Sequence, residues 1–125
     1  MILDTNAISD WCEANTRLLR VLPKDRPIYL PVIVLGEYRF GIKAARDRAV
    51  REVWLDTVES SVVVLDVDTT TARFYGEVRE ELRKAKTPIP ENDIWIAALV
   101  RQHEMPLLSQ DAHFDNVPGL RRVKW

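Results

Sequence analysis

Apolar positions along the 125 residues follow two rhythms: short unbroken runs that end at turn-forming residues, and longer segments with helical spacing. Ile2-Leu3 leads directly into Asp4-Thr5-Asn6 and reads as a short strand closed by a turn. Residues 7–12 and 14–22 read as short helices, the second closed by Pro23. Ile28-Tyr29-Leu30 is a second strand ending at Pro31, a residue suited to the first turn of a helix. A helix is predicted over 32–44, where Leu35, Tyr38, Ile42 and the following Ala45 keep helical spacing. A charged helix follows at about 46–60, with Ala49, Val53 and Thr57 along one side. Val62-Val63-Val64-Leu65 is a β-branched run bounded by Ser60-Ser61 and Asp66, which reads as a buried strand.

Asp68-Thr69-Thr70 offers N-caps for a helix over 69–85, whose stripe is Tyr75, Val78, Leu82 and Ala85. Its remaining Glu77, Glu80, Glu81, Arg83 and Lys84 read as a solvated face. After Thr87-Pro88-Ile89-Pro90, a helix over about 91–103 is apolar nearly all round, and so is expected to be buried on most sides. Pro106-Leu107-Leu108-Ser109 gives a short strand and Arg121-Arg122-Val123 an edge strand. Strands alternating with helices predict an α/β sandwich on a mainly parallel sheet, as one domain spanning 1–125. In such folds ligands bind beyond the carboxyl ends of the strands.

Composition narrows the field without naming a function. The longest apolar run, Ile94 to Val100, is far short of the roughly 20 residues that span a bilayer, so no membrane association is expected. Only Ile2 and Leu3 separate Met1 from Asp4, leaving no room for a secretory signal. Cys12 is the sole cysteine, which excludes an internal disulfide, suits a cytoplasmic setting and reads as a small residue on an apolar stripe. A net charge of −1 does not describe a protein that grips nucleic acid by basicity alone. If several acids gather in one pocket and bind cations, however, the remaining surface is more positive than the total.

Four acids fall where the strands are predicted to end. Asp4 follows the first strand, Glu37 lies about two turns into the helix after the second, Asp93 stands in the first turn of the buried helix, and Asp111 follows the strand at 106–109. Each has a plain structural reading. Asp4 can be a turn residue, Asp93 a charge on a helix dipole, and Asp111 a cap. Glu37 in Leu35-Gly36-Glu37-Tyr38 is harder to explain, because a partly buried carboxylate is costly unless paired. Together they form one electrostatic problem. Clustered carboxylates repel, and hard divalent cations with oxygen ligands, Mg²⁺ or Mn²⁺, relieve the conflict. Such ions serve phosphodiester hydrolysis. No Cys/His cluster has zinc spacing and no Gly-rich phosphate loop is present.

With these residues in view, the chain strongly resembles the PIN domain family, and within it the VapC-type toxins of toxin–antitoxin systems. The matching stretches are Ile2-Leu3-Asp4-Thr5-Asn6, Val34-Leu35-Gly36-Glu37 with Tyr38-Arg39-Phe40-Gly41, Pro88-Ile89-Pro90-Glu91-Asn92-Asp93 into Ile96-Ala97-Ala98, Ser109-Gln110-Asp111-Ala112-His113-Phe114, and the tail from Val117-Pro118-Gly119-Leu120 to Trp125. The resemblance implies a three-layer α/β/α sandwich and an endoribonuclease that uses Mg²⁺ or Mn²⁺. It also implies a homodimer silenced by a VapB-type antitoxin. Asp4, Glu37, Asp93 and Asp111 match the acids of such sites, with Asp4 and Asp93 the direct metal contacts. Thr5, Asn6, Asn92 and Ser109 match supporting polar positions. Asp115 is an accessory acid or a loop residue. The short first strand and Ser109 in place of a common Thr are mild departures.

Other residues are read as structural. His113 is expected to pack or cap, since the nucleophile in this chemistry is water. Trp54 and Trp95 are expected in the core, whereas Trp11 and Trp125 could serve a dimer or antitoxin surface. Arg39, Arg46, Arg48 and Arg51 could follow RNA phosphates or simply solvate a helix junction. Three further functional readings stay open: a housekeeping RNA-processing nuclease, a non-catalytic RNA- or protein-binding module, and a remote receiver-like domain using Asp4 or Asp66.

Overall fold

Ile2 and Leu3 form the central strand of the sheet and have no solvent exposure. The computed structural model describes all residues, 1–125. β1 (Ile2–Leu3) is followed by α1 (Thr5–Cys12), α2 (Thr16–Val21), β2 (Tyr29–Pro31), α3 (Val32–Gly41) and a 3-10 turn at Ile42–Ala44. Then come α4 (Arg48–Ser61), β3 (Val63–Leu65), α5 (Thr69–Ala85), α6 (Glu91–His103) and β4 (Leu107–Leu108). A second 3-10 turn (Ala112–Asn116) and β5 (Arg122–Val123) complete the chain. The five strands lie in the order β3-β2-β1-β4-β5, and every pairing is parallel. Helices flank this sheet in the three-layer α/β/α arrangement that the resemblance implies.

The order explains where a site can form. The chain runs from β1 to β2 to β3 on one side, then returns to β4 and β5 on the other. Connections therefore diverge between β1 and β4, and a crevice opens beyond their carboxyl ends. Short as β1 is, both neighbours hold it. Ile2 N–H donates to Pro106 O at 2.9 Å, Asp4 N–H to Leu108 O at 3.1 Å, and Tyr29 N–H to Met1 O at 3.0 Å.

Burial follows the sequence pattern in α6 and most of α5. β3, however, is an edge strand with Val63 43% exposed rather than a buried one, and α4 buries Leu55 and Val58 while Ala49, Val53 and Thr57 face solvent. α6 buries Ile94, Ile96, Ala97, Ala98, Leu99 and Val100, as expected of a helix apolar on nearly every side. α5 buries Val78 and Leu82 and keeps its charges outward. No helix is long and apolar enough to cross a membrane.

Three boundaries differ from expectation for local reasons. Ala14 adopts a left-handed φ of 54°, so the second helix begins at Thr16 rather than 14. Asn15 caps it by accepting from Arg17 N–H and Leu18 N–H. The helix predicted to reach 44 ends at Gly41 and tightens into the 3-10 turn, after which Ala45 is extended. The first helix begins at Thr5 rather than 7, because Asp4 caps it by accepting from Thr5 N–H.

Candidate active site

Asp4 is 5% exposed and performs the cap expected of a turn residue, accepting from Thr5 N–H at 2.8 Å. Its other oxygen accepts from Ser109 Oγ at 2.7 Å and Asn6 Nδ2 at 2.9 Å. Ser109, wholly buried beyond β4, also accepts from Asp111 N–H at 2.9 Å. Asn6 returns its carbonyl to Gln110 N–H at 3.1 Å. These contacts tie the end of β1 to the end of β4 and fix the plane of the Asp4 carboxylate. The structure thus brings Asn6 and Ser109 beside Asp4, where sequence reasoning had placed supporting groups.

Glu37 reaches the crevice from α3. Thr5 Oγ1 donates to its Oε2 at 3.2 Å, while Oε1 is buried without a hydrogen-bond partner. Asp93 enters from the first turn of α6, and Asp111 caps the 3-10 turn by accepting from His113 N–H at 2.9 Å. All four acids line one cleft of about 570 Å³, together with Thr5, Asn6 and the wall formed by Tyr38 and Arg51.

The electrostatics report crowding. Burial, opposed by the Ser109 hydrogen bond, raises the Asp4 carboxyl above its ordinary range, and the nearby Asp111 adds to the rise. Burial also raises Glu37, with Asp4 contributing and the Thr5 hydroxyl and Asn92 amide opposing. Asp93 is pushed up to about 6 by burial and then by Asp4, Asp111 and Glu37 in turn. Asp93 therefore senses the other three acids at once. No Lys or Arg forms an ion pair with any of the four.

Some expected placements are corrected. Asp115 does not join the cluster; it is exposed and held by a two-point pair with Arg122 at 2.8 and 2.7 Å, so the accessory role gives way to the loop role. Trp11 is half-buried, edge-on to Trp54 at 5.9 Å, and Trp125 Nε1 donates to Asp10 at 2.8 Å. Both tryptophans are thus engaged within the chain. Trp54 and Trp95 are partly buried, with Trp95 stacked on Tyr75 at 4.0 Å. The arginine group separates: Arg39 pairs with Asp56 and Glu59, Arg48 with Glu52, and Arg51 with Asp47 and Glu13, and of these only Arg51 lines the cleft wall. His113, expected to pack or cap, takes part in the Asp111 cap through its N–H but does not pack: its side chain is half exposed, with Nδ1 at 3.0 Å from Asp111 Oδ1 and 3.5 Å from Asp93 Oδ2. Its spacing two residues after Asp111 is the signal the sequence offers for that placement.

The PIN domain family profile matches residues 1–120. The chain is 31% identical to Ribonuclease VapC5 of Mycobacterium tuberculosis over 98% of this chain and 91% of that protein. Among solved structures, VapBC2 from Rickettsia felis, bound to a DNA fragment from its promoter, superposes with a TM-score of 0.86. That match is at 25% identity and covers 99% and 97% of the two chains. VapBC-5 from Mycobacterium tuberculosis matches with a TM-score of 0.76 at 30% identity, over 98% and 94%. A parallel sheet in this order, the acids gathered at its switch point and these likenesses lead to one assignment: the chain belongs to the PIN domain family, among its VapC members.

Proposed function

We propose that this chain is a metal-dependent endoribonuclease toxin of the VapC type, which hydrolyses RNA phosphodiester bonds and is neutralised by a VapB-type antitoxin. The observation that carries this reading is the meeting of Asp4, Glu37, Asp93 and Asp111 in one cleft with no Lys or Arg paired to them. Such a cluster is stable in its charged form only with cations, and the residues fit one. The donors are hard oxygens suited to Mg²⁺ or Mn²⁺, and the buried, unpartnered Oε1 of Glu37 lacks the contact its environment demands.

When bound, a divalent cation supplies the Lewis acidity that polarises a phosphoryl oxygen and acidifies a water. Asp4 and Asp93 are the residues to hold it. Ser109 and Asn6 orient the Asp4 carboxylate, and Thr5 orients Glu37. The Glu37 carboxylate, with its raised affinity for a proton, is the group to take up the proton that a water gives up on attack. Arg51 lines the same cleft, held by Asp47 and Glu13, and can meet the RNA backbone only by sharing or exchanging those partners.

Antitoxin binding and homodimer formation belong to the same reading. Phe40 is 78% exposed on α3, and Val50 and Val53 are 70% and 67% exposed on α4, so the helices flanking the cleft offer apolar surface to a partner.

The decisive assay incubates purified protein, freed of antitoxin, with RNA and Mg²⁺ or Mn²⁺. Cleavage is expected, and Asp4→Ala or Asp93→Ala should lower it on the order of a thousandfold. Activity surviving in both variants overturns the reading. In a bacterial host, growth arrest relieved by the neighbouring small gene product supports the toxin role. Harmless expression of a protein that cleaves RNA in vitro points instead to a housekeeping nuclease.

A further inference from the structure

We infer that His113 is a metal ligand, so that the cation site of this protein is a mixed carboxylate–imidazole site that favours Mn²⁺ over Mg²⁺. This rests on the metal-nuclease reading above and specifies which of the chain's own atoms complete the site.

The placement is not incidental. Nδ1 of His113 stands 3.0 Å from Asp111 Oδ1 and 3.5 Å from Asp93 Oδ2. Adjacent ligands of an octahedral ion at about 2.1 Å lie about 3.0 Å apart, so these separations are those of neighbouring corners of one coordination shell. One donor atom from each of Asp93, Asp111 and His113 lies within 4.8 Å of the others.

Three features hold the imidazole there. Asp111 Oδ1 accepts the His113 backbone N–H, which brings the two side chains to the same side of the 3-10 turn. Ser109 Oγ accepts Asp111 N–H and anchors the start of the turn. Phe114, the next residue, has no solvent exposure and pins the turn to the core. The imidazole itself is 51% exposed, so its contacts to the two carboxylates, not packing, set its position. To ligate, Nδ1 presents its lone pair and the ring proton sits on Nε2.

Imidazole is a softer donor than carboxylate. It adds little for Mg²⁺, which prefers oxygen, and more for Mn²⁺ and the later transition ions. An all-acid site lacks that discrimination.

The chain has only two histidines, which makes the test unambiguous. His103 lies in the last turn of α6, at the opposite end of that helix from Asp93 and roughly 15 Å along its axis. Metal-free protein is titrated with Mn²⁺ and examined by pulsed EPR for the modulation of a directly bound imidazole nitrogen, alongside Mn²⁺ and Mg²⁺ dissociation constants. The modulation should be present in wild type and His103→Gln and absent in His113→Gln. The last variant should lose at least about tenfold in Mn²⁺ affinity and less than about threefold in Mg²⁺ affinity.

Mn²⁺ bound without nitrogen modulation overturns the inference while leaving the carboxylate site standing. So does modulation that survives His113→Gln, or equal losses for the two ions. Failure of the wild type to bind either ion overturns the metal-nuclease reading itself, and the inference with it.

Discussion

The carboxylates of the cleft and those of the outer helices are chemically the same groups in opposite circumstances. Glu80 on α5 holds Arg83 at 2.7 Å, Asp47 holds Arg51 at 2.8 Å, and Asp115 holds Arg122 at 2.7 Å. In each the neighbouring arginine keeps the carboxyl below its ordinary range. At the ends of β1 and β4 the shifts run the other way, because burial and mutual repulsion raise Asp4, Glu37 and Asp93. The chain therefore supplies arginine partners for its surface acids and withholds them from the cleft. That contrast separates acids that serve solubility and local structure from acids kept for something outside the chain.

The contrast can be broken most severely by supplying the missing cation. Mg²⁺ or Mn²⁺ at a hundredfold excess over its dissociation constant should stabilise the protein by about 2.7 kcal/mol, with no gain in Asp93→Ala. Calorimetry with and without chelator measures this, and equal gains in both proteins would mean that the ions act elsewhere.

A smaller effect comes from relieving the repulsion without a cation. The folded pKa of Asp93, about 6, exceeds the ordinary 3.8, so between these values the folded state binds more protons than the unfolded. Stability from this group is thus full below about pH 4 and is lost as pH rises through 6. Metal-free Asp93→Asn should lose that slope and be more stable than wild type at about pH 7.5, on the order of 1 to 2 kcal/mol after discounting for solvent access. Denaturant titrations across pH check it. A variant less stable than wild type at neutral pH would place the carboxylate in a favourable environment instead.

The smallest expected effect is on the helix surface. Glu80→Gln should leave metal affinity unchanged and move the melting temperature by less than about 2 °C, since an exposed pair contributes little. A change in metal binding there would erase the distinction between the two sets of acids.

The legibility of these features follows the range of the forces involved. α5 and α6 were readable because helical spacing and caps are local, and Asp68 indeed caps α5 through Thr71 N–H at 3.0 Å. The end of α3 was not, because its passage into a 3-10 turn is set by packing of Ile42, 4% exposed, in the core. Asp4 and Asp111 are legible from their positions after strands, and Glu37 and Asp93 from their places in helices, yet the tie between Asp4 and Ser109 spans 105 residues and no local pattern encodes it. The side-chain position of His113 was not legible for the same reason. Its neighbour in sequence, Asp111, was visible, but its nearness to Asp93 arises only when α6 packs beside the turn.

The sequence by itself determined the alternation of strands and helices, the burial of α6 and the presence of four acids after strands or in helices, because hydrophobic period and turn chemistry act over a few residues. The resemblance carried by its motifs already pointed to the PIN family. Only the tertiary structure decided which charges meet. It set Asp93 within the fields of three other acids, turned Arg51 toward the cleft, and sent Asp115 away to Arg122. It also brought His113 to the carboxylates. Electrostatic interactions depend on distance in space and on burial, and both are fixed only when β1 and β4 become neighbours in the folded sheet.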